Sequence, residues 1–530
     1  MSKTKILFSI ACFFLLTGCS DFLDEKVYTQ ITTDYLINSP EGMSQAVVAM
    51  YNRDRELIRS QADPNSVVWT SMIRGTDLNV SRAGDGHDEF SNYEKLDGSL
   101  KWLQIFWKHH YYIIGCANQV IESEKNVDPN SPIAKQALAE ARCFRAHAYY
   151  HLLHRFDRIL LVTKATTPDN IDDKVEYKPA APAEIYKLIN EDLDYAINNL
   201  NWTSSDPGRF TQGFARHLKA KTAMWLKDWD EAIKQVDFII EKGPYGLVGL
   251  NEIFGGTNLN HKEVILSSQW SRSPGGNNDQ GDGKMYGHRM GIYFIPRYYD
   301  VPGMQATIED GGGNKFARVY PNEYLLSLYD QNKDQRYNAF YKHYWRYNNP
   351  KTLPKDKAIG DIVYLDDVAT NNKEEYYLSN LHPACMKFWD KWNQSVNENL
   401  SYQDIIIYRL AETYLIGAEA YMRKYNGDHK KAKEYYNKTW MRAGNNEFKG
   451  TITEDLILDE HARELAFEND RWLILKRMGK LVERVQLHTG EGTYIKGRTN
   501  IKPFHVRWPI PQTEIDYMGK ENFPQNDGYN

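Results

Sequence analysis

The sequence predicts a mainly α-helical protein: a tetratricopeptide-like helical repeat scaffold that carries a large irregular, loop-rich insertion. Three observations predict this fold class. Apolar residues recur at helical spacing up to about residue 245, small residues repeat where paired helices would touch, and both patterns disappear between residues 246 and 404. Hydrophobic residues make up 42% of the 530-residue chain and charged residues 25%, which is the balance of a packed globular protein.

Residues 1–18 have the pattern of a lipoprotein signal peptide. Lys3 and Lys5 precede an apolar stretch, residues 6–16, that is too short to span a bilayer. The sequence Leu16-Thr17-Gly18-Cys19 follows and resembles the bacterial lipobox, in which the cysteine thiol takes a diacylglycerol. We therefore predict lipidation at Cys19, with residues 19–40 as a polar tether. Several acyl chains would anchor the protein stably.

The N-terminal helical repeat part is predicted at residues 41–245. Helical spacing is clearest in four segments, which are residues 102–125, 131–156, 182–200 and 211–242. Pro132 stands near the start of the second segment, where a missing backbone N–H costs nothing.

Small and aromatic residues at matching positions mark three helix pairs. The positions are Ala146 and Tyr149, then Ala220, Ala223, Ala232, Val236, Ile239 and Pro244, and finally Ala418, Tyr421, Ala432 and Tyr436. The first pair is completed by residues 182–200, after a long insertion. A single helix pair cannot bury its apolar face, so such units are expected to stack.

Residues 246–404 are dense in Gly, Asn, Asp, Tyr and Pro and form the predicted ligand-binding part. Residues 264–270 are compatible with one short strand, and residues 275–278 and 311–313 are glycine-rich loops. A compact protein rarely keeps so much irregular chain without a use, and binding is a common one. Helices are expected to resume at about Ile405. Residues 405–530 form the predicted C-terminal helical part, and residues 41–530 one compact unit.

Neither a cofactor nor a metal is predicted. His147 and His151 are four residues apart on one helix, but no third ligand is evident. Residues 278–289 resemble a calcium loop, although Arg289 stands where the closing Glu is needed. Cys116, Cys143 and Cys385 remain after Cys12 leaves with the signal peptide and Cys19 is lipidated. This odd number implies no complete disulfide framework. The sequence does not decide whether Cys116 and Cys143 form a bridge.

Several classes of function are disfavoured. The net charge is −5 and no long basic run occurs, which argues against nucleic acid as a partner. Gly283-Lys284 is followed by Met285, so no nucleotide-binding loop is present. Asp366 with Asp367 and Glu374 with Glu375 are better explained as solvated loop charges than as the separated carboxylates of a glycosidase. We predict that the protein is not an enzyme.

Segments along nearly the whole chain resemble the SusD/RagB family. In chain order they are Ser20-Asp21-Phe22-Leu23-Asp24, Glu140-Ala141-Arg142, Arg409-Leu410-Ala411-Glu412 with Ala418-Glu419-Ala420, Arg442-Ala443-Gly444, Glu464-Leu465-Ala466-Phe467-Glu468 with Arg471-Trp472, Pro509-Ile510-Pro511, and Gln525-Asn526-Asp527-Gly528-Tyr529. His461 departs from the pattern, since the family often has Arg there. None of these motifs is catalytic, and Glu464 and Glu468 are interpreted as a structural network with Arg471 as a cation.

The resemblance implies about four helix pairs wrapped by a variable loop-rich part. It implies a surface-exposed, lipid-anchored protein of the outer membrane that acts with a SusC-like TonB-dependent transporter. It also implies that most members bind a glycan and some capture peptides. A glycan-binding lipoprotein is thus the leading hypothesis. Peptide or protein capture and a scaffold that binds only its transporter remain alternatives.

Two stretches combine flat rings with polar side chains, as a sugar ring requires. A pyranose has an apolar C–H face for aromatic rings and a rim of hydroxyls for Asp, Asn and Arg. We expect residues 74–93 and 270–299 to converge into one shallow site. The candidate contacts, with Trp345 added, are Asp77, Asn79, Arg82, Tyr93, Trp270, Tyr286, Arg289, Tyr293, Tyr298 and Trp345. Trp389 and Trp392 are interpreted as core residues.

Overall fold

The computed structural model describes residues 38–529 apart from 59–70, 83–88, 167–169, 171–175, 255–258, 273–286, 314, 393–394, 399, 427–428 and 469–470. Cys19, the signal peptide, most of the tether and Tyr286 therefore lie outside the described residues. The longer helices are α1 (Pro40–Asp54), α2 (Lys101–Glu122), α3 (Pro132–Phe156), α4 (Pro182–Asn199), α5 (Gln212–Leu226), α6 (Trp229–Lys242), α7 (Leu410–Lys424), α8 (Lys430–Arg442), α9 (Glu454–Leu465), α10 (Arg471–Arg477), α11 (Leu481–His488) and α12 (Gln512–Met518). The prediction of a mainly α-helical fold is confirmed.

Helix starts follow from local sequence. Ser131 caps α3 by accepting a hydrogen bond from the backbone N–H of Ala134 at 3.3 Å, and Pro132 occupies the first turn. Thr211 and Asp228 cap α5 and α6 in the same way. The caps fix the short connection between α5 and α6, so these two helices must fold back on each other.

Eight helices form four consecutive packed pairs: α1 with α2, α3 with α4, α5 with α6, and α7 with α8. Helix α6 also packs directly on α7, although the loop-rich part separates them in sequence. Gly417 in α7 permits this close approach. A Cβ atom there would lie 2.6 Å from the Tyr435 ring of α8 and 2.7 Å from Val236 of α6.

The described strands are few and form three antiparallel pairs. They are β1 (Asn79–Ser81), β2 (Val264–Ser268), β3 (Val319–Pro321), β4 (Tyr341–Lys342), β5 (Ala384–Cys385) and β6 (Ile405–Arg409). Strand β1 pairs with β3, β2 with β6, and β4 with β5. The short strand expected at residues 264–270 is therefore present as β2.

The sequence predicts that helices resume at about Ile405, but a strand precedes the first helix there. Residues 405–409 are strand β6, and α7 begins at Leu410. Three consecutive β-branched residues, Ile405 to Ile407, favour an extended backbone, and β2 supplies a pairing partner. The β2–β6 pair joins the two ends of the loop-rich part beside α7.

A buried ion network joins the loop-rich part to the C-terminal helices. Arg409 contacts Glu263 at 2.7 Å, Glu464 at 2.6 Å and Glu468 at 2.5 Å. Arg471, the cation expected for Glu468, instead contacts Asp77 at 2.7 Å. The structural interpretation of the two glutamates is supported, but Arg471 belongs to a different ion pair.

Two further features concern the whole described chain. Cys116, Cys143 and Cys385 are all free thiols, so the bridge left open between Cys116 and Cys143 is not formed. Among the described residues, no helix combines the length and apolar character needed to cross a membrane.

Candidate functional site

The two sequence-predicted stretches meet on either side of strand β3. Strand β1, from the first stretch, pairs with β3. Arg74 donates a hydrogen bond from Nη2 to the carbonyl oxygen of Arg318 at 3.4 Å. The backbone N–H of Arg318 donates to the carbonyl oxygen of Tyr293, in the second stretch, at 2.7 Å. Residues 316–321, which the sequence analysis did not single out, thus bring the stretches together.

Phe316 is the centre of an aromatic and cationic platform. Its ring is partly buried and lies nearly parallel to that of Tyr293, with centroids 5.9 Å apart. The guanidinium carbon of Arg289 lies 5.3 Å from the Phe316 centroid and that of Arg318 lies 5.4 Å from it. We name Phe316, Tyr293, Arg289 and Arg318 the Phe316 platform. It combines a flat apolar ring with planar hydrogen-bond donors, the two features that a sugar ring uses.

Arg82 and Arg289 retain unused donor capacity. Both are partly buried, and the Nε atom of each is buried without a hydrogen-bond partner. Arg82 directly follows the pairing of Ser81 with Val319, so its backbone continues β1 alongside Arg318. Arg289 therefore places an open donor on the Phe316 platform, and the backbone of Arg82 adjoins the β1–β3 pair that leads to it.

The other polar candidates from the first stretch are internal. Asp77 is fully buried and binds Arg471 and Arg484 at 2.7 and 2.9 Å. Burial alone would raise the pKa of Asp77, but the two guanidinium groups outweigh it and hold the pKa below its ordinary value. Asn79 donates to the carbonyl oxygen of Ile73 at 2.7 Å. These side chains shape the segment that leads to β1.

The large aromatic candidates support the loops from beneath. Tyr298 and Trp345 are stacked with centroids 4.5 Å apart, and they are 0% and 1% exposed. Tyr93 is buried and donates to the carbonyl oxygen of Gly75. Trp270 is 8% exposed, and its indole N–H donates to Ser268 at 3.1 Å. These rings pack the loop-rich part onto the scaffold and leave little or no ring surface open to a ligand.

Trp389 and Trp392 differ sharply in exposure. Trp389 is buried and its indole N–H donates to the carbonyl oxygen of Ile308 at 3.0 Å, as expected of a core residue. Trp392 is 58% exposed, so its interpretation as a core residue is wrong. Its loop runs on to Ser401, which exchanges backbone hydrogen bonds of 2.9 and 2.7 Å with His288, the residue before Arg289. The exposed indole thus belongs to a segment that packs beside the Phe316 platform.

A separate cavity of about 730 Å³ lies in the helical scaffold, lined by parts of α1, α2, α3, β2 and β6. Three histidines, His110, His147 and His151, line it. Nε2 of His147 lies 2.9 Å from Nε2 of His151 and 2.9 Å from the Tyr408 hydroxyl. Burial lowers the pKa of His147 to about 4, so this imidazole is uncharged at neutral pH. Within the described parts of the chain, no three side chains are grouped as metal ligands.

Comparison with known proteins identifies the family. The model described as "SusD family" matches residues 257–529, and the model described as "Starch-binding associating with outer membrane" matches residues 21–216. The chain belongs to the SusD family. It is 25% identical over 571 aligned positions to the SusD-like protein P25 of Formosa agariphila, with all of both chains covered.

Solved structures show the same fold. A laminarin-binding SusD-like protein superposes with a TM-score of 0.70 at 22% identity, covering 93% of this chain and 100% of that one. The surface glycan-binding protein A from Bacteroides thetaiotaomicron, in complex with laminarihexaose, superposes with a TM-score of 0.68 at 20% identity, covering 92% and 99%.

Proposed function

We propose that the protein is a cell-surface lipoprotein that binds an oligosaccharide or polysaccharide and delivers it to a SusC-like TonB-dependent outer-membrane transporter. The Phe316 platform is the observation that carries the binding proposal. Membership of the SusD family and the glycan-binding relatives support it, because their described function matches the chemistry of this platform.

The platform fits a sugar ring in two ways. The ring of Phe316, which is only partly buried, can take the C–H face of a pyranose, which is apolar. The guanidinium groups of Arg289 and Arg318, on the same ring, can donate to the oxygens at the rim. A shallow site of this kind buries little area, so we expect dissociation constants of roughly micromolar to millimolar. Weak binding suits a protein that must release its ligand to a transporter.

We propose binding without catalysis. Carboxylates of the two acidic pairs considered above, Asp366 with Asp367 and Glu374 with Glu375, make local contacts. Asp367 contacts Lys357 at 2.6 Å and Asp366 contacts Lys373. Glu374 accepts backbone hydrogen bonds from Thr493 at 3.0 Å and from the next residue. These carboxylates stabilise turns and are not paired across a cleft as hydrolysis of a glycosidic bond requires.

Phe316→Ala is expected to weaken glycan binding by about 5- to 150-fold, because stacking on one aromatic ring contributes roughly 1–3 kcal/mol. The full-length lipoprotein, purified in mild detergent, would be screened against one panel of glycans and one panel of peptides. Calorimetry on the strongest ligand would then measure the loss.

Phe238→Ala is the matched control. Phe238 is 41% exposed on α6 and has the Arg216 guanidinium 3.8 Å from its ring centroid, so it repeats the Phe–Arg arrangement far from the loop-rich part in sequence. This variant should bind like the parent. Equal binding by parent and Phe316→Ala would exclude the platform, and binding to peptides alone would favour the alternative function.

Cys19→Ala is expected to abolish acylation and remove the protein from the outer-membrane fraction, because the cysteine thiol is the predicted acceptor of the lipid. Intact-mass spectrometry and membrane fractionation would measure both effects. Cys116→Ala, which changes a cysteine within α2, should keep the lipid mass and the localisation. An acylated Cys19→Ala protein would show that the anchor is elsewhere.

A further inference from the structure

Arginines from three segments meet at the Phe316 platform. Arg289 and Arg318 share the Phe316 ring, Arg74 binds the Arg318 carbonyl oxygen, and Arg82 continues β1 beside Arg318. Like charges brought this close repel one another unless a counter-charge is present. The arrangement therefore needs either carboxylates of the protein or an anion from outside.

Several buried arginines elsewhere in the described structure are matched by carboxylates. Arg336 contacts Asp334 and Glu460, each at 2.7 Å, and Arg471 contacts Asp77 at 2.7 Å. Arg82 and Arg289 differ, because neither makes a hydrogen bond or an ion pair with any residue that the structure describes. Arg74 and Arg318 have other partners, so the open cationic donors are those of Arg82 and Arg289.

Asp77, a fully buried carboxylate of the same segment, cannot serve them. Asp77 lies two residues before β1, but one of its oxygens accepts from Arg471 and the other from both Arg471 and Arg484. Its charge is thus balanced inside the protein. Among the residues that the structure describes, no carboxylate pairs with Arg82 or Arg289, and Arg289 lies over a ring that suits the C–H face of a sugar.

The shape of the guanidinium group narrows the ligand class. A guanidinium presents parallel N–H donors that match two oxygens of one carboxylate or sulfate, and such charge-assisted pairs are roughly twice as strong as bonds to neutral groups. A neutral hydroxyl can use only one of these donors and leaves the charge unbalanced. A partly buried guanidinium with no partner among the described residues is costly unless a ligand occupies it.

We infer that the ligand is an anionic glycan, whose carboxylate or sulfate ester groups bind Arg82 and Arg289 while a sugar face packs on Phe316; this inference rests on the proposed glycan-binding function. Uronic acids and sulfated sugars share the required chemistry, a planar or tetrahedral group of oxygens with negative charge. A neutral glucan lacks it.

The test compares glycans that differ in charge. The full-length lipoprotein in mild detergent would be titrated with oligosaccharides of polygalacturonate, of a sulfated galactan, and of neutral galactan and glucan. At least one charged class should bind more tightly than its neutral counterpart. The affinity should fall when NaCl is raised from about 0.05 M to about 0.5 M, because the Debye length then shrinks about threefold. The two charged arms distinguish carboxylate from sulfate.

Arg289→Gln and Arg82→Gln should each weaken binding of the charged ligand by about 10- to 100-fold and reduce its dependence on salt. Arg346→Gln is the control, since Arg346 is an exposed arginine of the loop-rich part that donates to the carbonyl oxygen of Gly360 at 2.8 Å. It should leave binding unchanged. Melting temperatures of all three variants would show whether a loss reflects folding.

The outcomes separate the inference from the function on which it rests. If a neutral glycan binds, Phe316→Ala abolishes that binding, and Arg82→Gln and Arg289→Gln do not affect it, the anionic inference is wrong and the glycan-binding function stands. If no glycan of either charge binds, the proposed function itself is wrong, and the inference falls with it.

Discussion

Arg409→Met is expected to lower the free energy of unfolding by about 3–5 kcal/mol at neutral pH, because it removes one cation from three buried carboxylates. Glu263 and Glu464 are fully buried and Glu468 is 5% exposed, so water cannot replace the lost guanidinium. Methionine keeps most of the side-chain volume, and the loss therefore reports charge rather than a cavity. Urea denaturation would measure it.

The effect should depend on pH. Burial alone would raise the pKa of Glu464, but Arg442, Arg409 and Arg336 outweigh it and hold the pKa well below its ordinary value of 4.5. In the parent, this carboxylate stabilises the fold above pH 4.5, and the contribution is lost as the pH falls below that value. In the variant the weakened site can take up a proton more readily. The difference between the two proteins should shrink in acid.

Arg346→Met is the control for this prediction. Its guanidinium is exposed and contacts only the carbonyl oxygen of Gly360 in the described structure, so the same substitution should change stability by less than about 0.5 kcal/mol. A loss below about 1 kcal/mol for Arg409→Met would mean that the network relaxes or admits water. The buried cluster would then contribute little to joining the loop-rich part to the C-terminal helices.

Short-range sequence spacing predicted the wrong cation for Glu468, which pairs with Arg409 and not with Arg471. Glu468 and Arg471 are three residues apart, a spacing that brings side chains together only on a continuous helix. Helix α9 ends at Leu465, and Phe467 has a φ of 69°, in the left-handed region. Glu468 therefore lies after the end of α9 and Arg471 begins α10, so the two residues do not share one helix. Arg471 contacts Asp77, 394 residues away, which no short-range pattern could indicate.

The helix pairs were predictable because their signals are local. The repeat positions Ala220 and Ala232 and the cap at Ser131 each lie within one or two turns of the feature they define. The exposure of aromatic residues is not local in this way. Trp389 and Trp392 lie three residues apart in one charged segment, yet one is buried and the other is 58% exposed. Only the packing of the loops against each other decides between them.

The candidate site was predicted in part. Arg82 and Arg289 were named from sequence, whereas Phe316 and Arg318 were not, since glycine-rich loops hide the strand that follows them. Residues 315–319 do not alternate between apolar and polar types, so the pattern that groups Phe316 with Arg318 appears only in the structure. In residues 315–319, buried and partly buried positions alternate strictly, and this places Phe316 and Arg318 on one face. The same alternation places Lys315 on the opposite, buried face, where a charged residue is unexpected.

Lys315→Met is expected to stabilise the protein by up to about 3 kcal/mol at pH 6, because the lysine is desolvated without a compensating charge. Lys315 is 2% exposed, and Nζ has no hydrogen-bond partner among the described residues. Its ammonium lies 4.1 Å from the centroid of the Trp389 ring. Burial lowers its pKa from 10.5 to about 7. A shift of this size corresponds to roughly 5 kcal/mol, from which the lost cation–π contact removes about 1–2 kcal/mol.

The direction in which the stability of the parent changes with pH follows from proton binding by Lys315. Below pH 7 the lysine is charged in both the folded and the unfolded state, and the fold bears the whole desolvation cost. Between pH 7 and 10.5 the unfolded state binds more protons, so the stability of the parent rises with pH and the cost disappears. The advantage of Lys315→Met should therefore be largest at pH 6 and close to zero near pH 10.5. Urea denaturation at three or four pH values would trace this decline.

Lys391→Met provides the comparison at an exposed lysine of the loop that carries Trp392, and it should show neither the gain nor its dependence on pH. A gain for Lys315→Met that persists unchanged to pH 10.5 would assign the effect to better packing of methionine against Trp389. Destabilisation at pH 6 would mean that the ammonium has an anionic partner in the folded protein. The pH profile thus distinguishes an uncompensated buried charge from a hidden ion pair beneath the Phe316 platform.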